Sequence, residues 1–197
     1  MDFLLLGFID AKTLFIILHI FGAILGAGSA FLTDAMYFTV VKDKIITDSE
    51  LRFIKLGSTM VWGGIFLIII SGLLLFSLDP EVYLNSNKFL AKMTIVGILV
   101  INGLVFHFEH LRTCAEHIGE HLPSSKVWRS KSIILYASGA ISVVSWISTI
   151  ILGVFRGVPY NYSTIMLVYL LVLAVALLVA MVARVNFLNS PVKTGKK

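Results

Sequence analysis

The sequence is poor in charge and almost without cysteine. Of its 197 residues only 14% are charged, 16 of them Lys or Arg and 11 Asp or Glu. With 58% apolar residues and a mean hydropathy of +0.95, a soluble domain of this size would expose a very large apolar surface to water. Lipid must therefore be the solvent for most of the chain. The single cysteine, Cys114, excludes an intrachain disulfide. The segment Met1 to Ala11 contains Asp2 and Asp10 but no Lys or Arg. It thus lacks the basic region of a secretory signal, and no small-x-small cleavage site precedes a soluble domain, so the first apolar helix is expected to be retained. Also missing are a nucleotide-binding glycine loop, a nucleophile elbow and any soluble catalytic module. The formal charge of +5 does not point to nucleic acid, because Lys and Arg are scattered among apolar stretches with no basic domain interleaved with aromatics. There is no internal repeat, and the only biased segment is the short basic tail Lys193–Lys197, read as a topology and surface-charge anchor.

What is present is a series of long apolar runs. Five of them reach the ~20 residues needed to cross a ~30 Å hydrocarbon core: Thr13–Val41, Leu56–Leu78, Phe89–Phe108, Ile133–Phe155 and Thr164–Phe187. The links are polar and punctuated, as at Asp79-Pro80 and Pro159. The third link, Glu109 to Lys131, is too long for a turn and is expected to continue the third helix into water before Leu122-Pro123-Ser124-Ser125.

Orientation follows from the cations of the short links, which stay cytoplasmic. Lys42, Lys44, Arg52 and Lys55 lie between the first two spans, Arg112, Lys126, Arg129 and Lys131 between the third and fourth, and Arg184, Lys193, Lys196 and Lys197 at or after the fifth. The opposite side has Lys12, Lys88 and Arg156. The expected fold is thus all-α: a polytopic membrane bundle of five helices, N-terminus out and C-terminus in, with Cys114 on the cytoplasmic side. Residues 1–188 form the membrane domain, 109–131 a cytoplasmic helical extension and loop within it, and 189–197 a basic cytoplasmic tail. The membrane expected is a bacterial plasma (inner) membrane.

Ionisable groups within spans are costly and are site candidates by default. His19 lies ~9 Å below the start of the first span at 1.5 Å per residue. Its face continues through Gly22, Ala23, Gly26, Ala30 and Thr33, a column of small residues. Such a column allows close helix packing, or forms a wall against which a planar porphyrin could lie with a histidine on its iron. Lys92, ~6 Å into the third span, is nearly level with His19. Its stem can snorkel to the headgroups, but Lys88 already serves that interface, and an ammonium at this depth could pair with a propionate or another carboxylate. His107 lies ~22 Å further along the helix, so no second histidine is available at the depth of His19. A haem there would have an open position or a weaker second ligand such as Met93 or Met166.

A second constellation lies on the inner side. His107, His110, Cys114, His117 and His121 follow a 3,4,3,4 spacing and share one stripe if the helix continues. The pairs His110/Cys114 and His117/His121 could each chelate a transition metal, with Glu109, Glu116 and Glu120 completing or orienting the ligands. The plainer reading is an amphipathic packing face. Asp34, at a depth comparable to His107, is either paired with it or solvated at the interface. Trp128 fits an interfacial aromatic belt, and Trp62 and Trp146 read as packing residues.

The stretch Leu18-His19-Ile20-Phe21-Gly22-Ala23, together with Lys92 and the run closing on Asn102-Gly103 and His107, resembles a superfamily of integral membrane proteins. It includes the bacterial membrane protoporphyrinogen oxidases, which bind haem b, and the copper-resistance D proteins. The resemblance covers roughly Thr13 to His110. It implies that His19 and Lys92 are the essential histidine and lysine, and that haem b is the cofactor. The oxidases typically have four spans and a different sequence around the third, whereas this chain has a fifth span and the histidine stripe.

Three functions follow as expectations. One is a haem b or porphyrin protein, of which a redox enzyme is one form, with His19 and Lys92 in the catalytic roles and Gly22, Gly26 and Met93 beside the cofactor. Another is a copper or other transition-metal transport or resistance protein using the inner stripe. The third is a non-catalytic membrane scaffold. Expected partners are membrane lipid and a porphyrin or metal ligand, with a second copy of the chain as a further candidate. The charge pattern makes the topology testable: a reporter active only in the cytoplasm should work when fused after Lys197 and fail when fused at Met1. Activity at both ends, or at Met1 alone, would reject the five-span arrangement.

Overall fold

The computed structural model describes residues 4–5, 9–40, 44–155 and 157–189. Val41, Lys42, Asp43, Arg156 and the tail cations Lys193, Lys196 and Lys197 lie outside the described residues. Among the described residues the regular elements are helices, apart from a two-residue antiparallel pair, β1 (Leu4–Leu5) with β2 (Ile9–Asp10), ahead of the first helix. The helices are α1 (Ala11–Val40), α2 (Asp48–Leu78), the short α3 (Pro80–Leu84), α4 (Asn87–Val105), α5 (Leu111–Glu116), α6 (Lys126–Val154) and α7 (Tyr162–Asn189). A π-helical turn, Phe106–His110, joins α4 to α5 without a break, and a 3-10 turn, Leu122–Ser124, precedes α6. Five helices are long and apolar enough to cross a membrane, the third running from Asn87 to Glu116. The end of the bundle where α1 starts is called the near end below, and the opposite end the far end.

The helices are longer than the apolar runs because local capping, not hydropathy, sets their ends. Thr47 and Glu50 form a reciprocal capping box two turns before the apolar run of α2: the Thr47 amide donates to Glu50 Oε2 at 2.8 Å and the Glu50 amide to Thr47 Oγ1 at 3.3 Å. Ser86 and Ser125 accept from the amides of Phe89 and Trp128 to start α4 and α6. Before α1, Thr13 donates its amide and hydroxyl to Asp10, which holds that carboxyl below the usual carboxylate range.

Association in lipid depends on close packing rather than on burial of apolar surface, since the tails are as apolar as leucine. Accordingly, α7 leaves Leu167, Leu171, Val175, Leu178 and Val182 exposed, while α1 and α2 meet through small residues. The α1–α2 interface is the most extensive. A side-chain carbon on Gly64 of α2 would run into the backbone of Gly26, and one on Gly22 of α1 would lie 2.9 Å from the Ile68 nitrogen. Lower down, α2 meets α1 at Gly57 against Thr33. Two of the buried hydroxyls spend their protons on their own helices, Thr33 on Ser29 O at 2.7 Å and Thr149 on Trp146 O at 2.9 Å. The middle layer is Ala27, Ala30, Ile65, Leu99 and Trp146; a second cluster joins α4, α6 and α7 through Ile95, Val144, Ile165 and Tyr169.

The far end departs from the sequence reading. The third helix continues past Phe108 but only as far as Glu116. His117 caps it, Gly119 turns the chain with a φ of +75° that favours glycine, and the segment folds back on the α1–α2 link through bridges of Ile46 to Ile118 and Ile45 to His121. Trp128, expected in an interfacial belt, is fully buried there with Ile46, Leu51, Cys114 and Leu122.

The α1–α2 contact generates a stability prediction. Gly64→Ala should lower the thermal midpoint in detergent by the equivalent of about 1–3 kcal/mol, because the backbone it would strike cannot yield without separating the helices. Gly97→Ala, on α4 with open space around it, should be neutral or slightly stabilising. Equal effects at both positions would mean that the helices do not meet at Gly64.

Candidate functional site

His19 on α1, Ser71 on α2 and Lys92 on α4 meet near the near end. Lys92 Nζ lies 3.4 Å from His19 Nε2, and His19 Nδ1 lies 3.0 Å from Ser71 Oγ. The order of protons along this chain follows from its last member. Ser71 has one hydroxyl proton, and it is given to Leu67 O at 2.5 Å. Ser71 Oγ must then accept from His19, which places the imidazole proton on Nδ1 and leaves the Nε2 lone pair facing the lysine, where the ammonium donates to it. A histidine prepared as a ligand or proton acceptor has one nitrogen fixed by a hydrogen bond that it donates and the other unprotonated; here that second nitrogen accepts from Lys92.

Among the described residues no acid is paired with this cation. The ion pairs among the described residues are Arg112–Glu116, His117–Glu120 and Lys131–Glu109, none of which includes Lys92. Glycines border the pair: Gly72 beside the imidazole edge, where a side-chain carbon would lie 3.6 Å from His19 Cε1, and Gly153 of α6 beside the ammonium, at 3.7 Å. Lys88, one turn before Lys92, is bound to Phe155 O at 2.7 Å. Both His19 and Lys92 are half-buried, so the pair reaches the flank of the bundle.

The rest of the predicted porphyrin site is arranged differently. Gly22 and Gly26 do not wall an open groove: α2 fills the space beside Gly22, and Trp146 packs on Gly26, where a side-chain carbon would lie 2.5 Å from the indole Cη2. The column serves helix packing. Met93 is 50% exposed on the lipid-facing side of α4, and Met166 packs into the α4–α6–α7 cluster. Neither sulfur belongs to the His19–Lys92 pair. Ser71, Gly72 and Gly153 are site residues that sequence reasoning missed. Ser71 and Gly72 interrupt an otherwise apolar run on α2, and that interruption was the available signal.

The far-end histidines do not converge on one point. The π turn adds a residue to the helical repeat between His107 and His110, so the 3,4,3,4 stripe loses its register there, and after Glu116 there is no helix to carry it. His107 Nδ1 faces Ser58 Oγ at 3.4 Å rather than Asp34. His110 is buried, its ring edge-on to Phe106. Cys114 is buried in the far-end cluster. His117 bridges Thr113 O at 2.8 Å and Ser125 Oγ at 3.1 Å, tying the end of α5 to the start of α6, and His121 Nδ1 lies 2.7 Å from Ser124 Oγ. Among the described residues no three His, Cys, Asp or Glu side chains converge as a metal set.

Compared with known proteins, the chain matches no family model, no curated protein and no solved structure. The geometry therefore carries the functional argument alone.

The bonds of His117 make a structural role testable. His117→Ala should lower the thermal midpoint by the equivalent of ~1–3 kcal/mol, the loss expected for two hydrogen bonds of a buried side chain, and by the same amount with or without a chelator. A wild-type midpoint that falls on adding chelator would instead assign the far-end histidines to a metal.

Proposed function

We propose that this chain is an integral protein of a bacterial inner membrane that binds haem b or a related porphyrin at the near end of its bundle. In this reading His19 would hold the iron and Lys92 would pair with an anionic group of the porphyrin. The observation that carries it is the His19–Lys92 pair: a neutral imidazole with its tautomer set by Ser71 and its Nε2 lone pair turned to an ammonium that has no acid partner among the described residues.

The donor set fits the group. Nε2 is the nitrogen available to an iron, and the Nδ1 bond to Ser71 supplies the orientation that ligating histidines commonly have. Lys92 is the charge that a propionate requires in a membrane interior. At present its Nζ stands in the direction from which an iron would approach Nε2. Ligation therefore requires the lysine to leave the imidazole, a movement its four-carbon stem permits and a carboxylate would draw. Gly72 and Gly153 keep side chains away from the two polar ends. A bound haem would supply one-electron chemistry that no side chain here provides. The chain's own residues supply the ligand, the fixed tautomer and the counter-charge.

The test is to express wild type, His19→Ala, Lys92→Ala and Ser71→Ala in a haem-replete host, quantify membrane-inserted protein and record the Soret absorbance per mole. His19→Ala should insert normally, since alanine enters a span more readily than histidine, and lose most of the signal. Lys92→Ala should keep part of it, and Ser71→Ala should keep it with a shifted band. A colourless wild type would overturn the haem reading, and an undiminished band in His19→Ala would move the ligand elsewhere.

A further inference from the structure

The polar groups of the far half converge on a second place. A cavity of ≈ 50 Å³ lies between α1, α2, α4 and α6, walled in part by Thr33, Asp34, Ser58, Asn102, Ser138 and Ser142. At ~10–15 Å³ per water-sized occupant, this is room for a few small species and no organic molecule. Most of the wall is apolar, with Trp62, Ile65, Leu99, Phe106 and Trp146 among its residues, and these oxygens are set into it. Thr33 has given its proton to Ser29 O, so it presents only lone pairs. The Asn102 amide group donates to Ser138 O at 3.0 Å, which leaves its carbonyl oxygen as the acceptor end of a residue that lines the cavity. Ser58 is shared with His107. Among the described residues, Asp34 Oδ2 and Ser138 Oγ are buried without a hydrogen-bond partner.

Two unsatisfied oxygens on one cavity, one of them a carboxylate, indicate an occupant. The donor type indicates its class. Carboxylate, hydroxyl and carboxamide oxygens suit a hard cation, whereas a soft transition ion would call for sulfur or imidazole. The charge indicates its valence. Asp34 is the one acid on the wall and no Lys or Arg lines it, so a monovalent ion makes the site neutral while a divalent ion leaves a buried positive charge in a low-dielectric region.

We propose that this cavity is a binding site for a largely dehydrated alkali cation, anchored by the Asp34 carboxylate with the Ser138 hydroxyl and the Asn102 carbonyl oxygen as neutral ligands. The site is separate from the His19–Lys92 pair and does not depend on what binds there. Helix packing shapes it: α2 closes on α1 at Gly57 beside Thr33, and α6 approaches Asp34 at Gly139, where a side-chain carbon would lie 4.0 Å from Oδ1.

Sodium is the probe, and the full chain in lipid nanodiscs is the sample. Thermal unfolding is compared in NaCl and in choline chloride at equal ionic strength, and binding of radioactive sodium is measured directly. The wild type should unfold at a higher temperature in NaCl, because a ligand bound only to the folded state stabilises it, and should bind about one sodium per chain. Asp34→Asn should unfold at the same temperature in both salts and bind none. Ser138→Ala, which removes one neutral ligand and leaves the fold intact, should weaken sodium binding by roughly 10-fold. The proposal is overturned by a wild type with no sodium-specific stabilisation and no bound sodium, by sodium binding unchanged in both variants, or by calcium displacing sodium at lower concentration. A midpoint that moves with pH but not with sodium overturns it as well, since the carboxyl is then neutralised by a proton.

Discussion

The close approach of α1 to α2 at Gly22, Gly26 and Gly64 is the contact on which the rest of the bundle depends. In lipid no hydrophobic effect pushes helices together, so they adhere where their backbones can come near enough for dispersion and local polar contacts to exceed what the tails offer. With α2 held against α1 in this way, Ser71 falls beside His19 and sets its tautomer, Thr33 meets α2 at Gly57, and the ring of Trp146 from α6 takes the space over Gly26. The same contact removes the groove that the small-residue column suggests. A stripe of glycine and alanine has two uses in a membrane, a wall for a ligand or a seat for a helix, and here the seat is taken.

Depth along a helix is legible in a sequence, and rotation is not. His19 and Lys92 were placed level by counting residues from the starts of two spans, and their nitrogens do lie 3.4 Å apart. That method works because the rise per residue is fixed and both helices begin at the same interface. It does not say which flank of α4 faces α1, so Met93, one residue on, was as eligible as Lys92 and in fact faces lipid. Ser71 is illegible for a related reason: a serine in an apolar run usually satisfies itself on its own helix, as Ser71 does through Leu67 O, and nothing in sequence spacing reveals that its lone pair also receives His19.

The far end was the least legible part, because its structure departs from regular periodicity. A single histidine stripe requires 3.6 residues per turn from His107 to His121, and the π turn at Phe106–His110 breaks that repeat at its first step. Beyond Glu116 the capping by His117, the left-handed Gly119 and Pro123 end the helix. Once the chain folds back, Trp128 has a cluster to enter, and an aromatic that composition assigns to the interface becomes core. The hydropathy spans were right in number because lipid thickness imposes them, and short at their ends because capping residues such as Thr47 and Ser125 extend helices beyond the apolar run.

The two polar sites in the membrane are complementary in sign and do not serve each other. Lys92, at the level of His19, is a cation without an acid, and Asp34 is an acid without a base among the described residues. Fifteen residues of α1 separate His19 from Asp34, about 22 Å along the axis. At that distance, with an effective dielectric of ~20, their mutual attraction is on the order of 0.8 kcal/mol. Taking either charge out of water costs several kcal/mol, so attraction across the bundle cannot hold both ionised. The layer of Trp146, Ile65 and Leu99 between them offers no polar bridge. Each charge must therefore be met locally, and the chemistry around each differs accordingly: nitrogen donors and an ammonium at the near end, suited to a carboxylated ligand, and oxygen acceptors around a carboxylate at the far end, suited to a small cation.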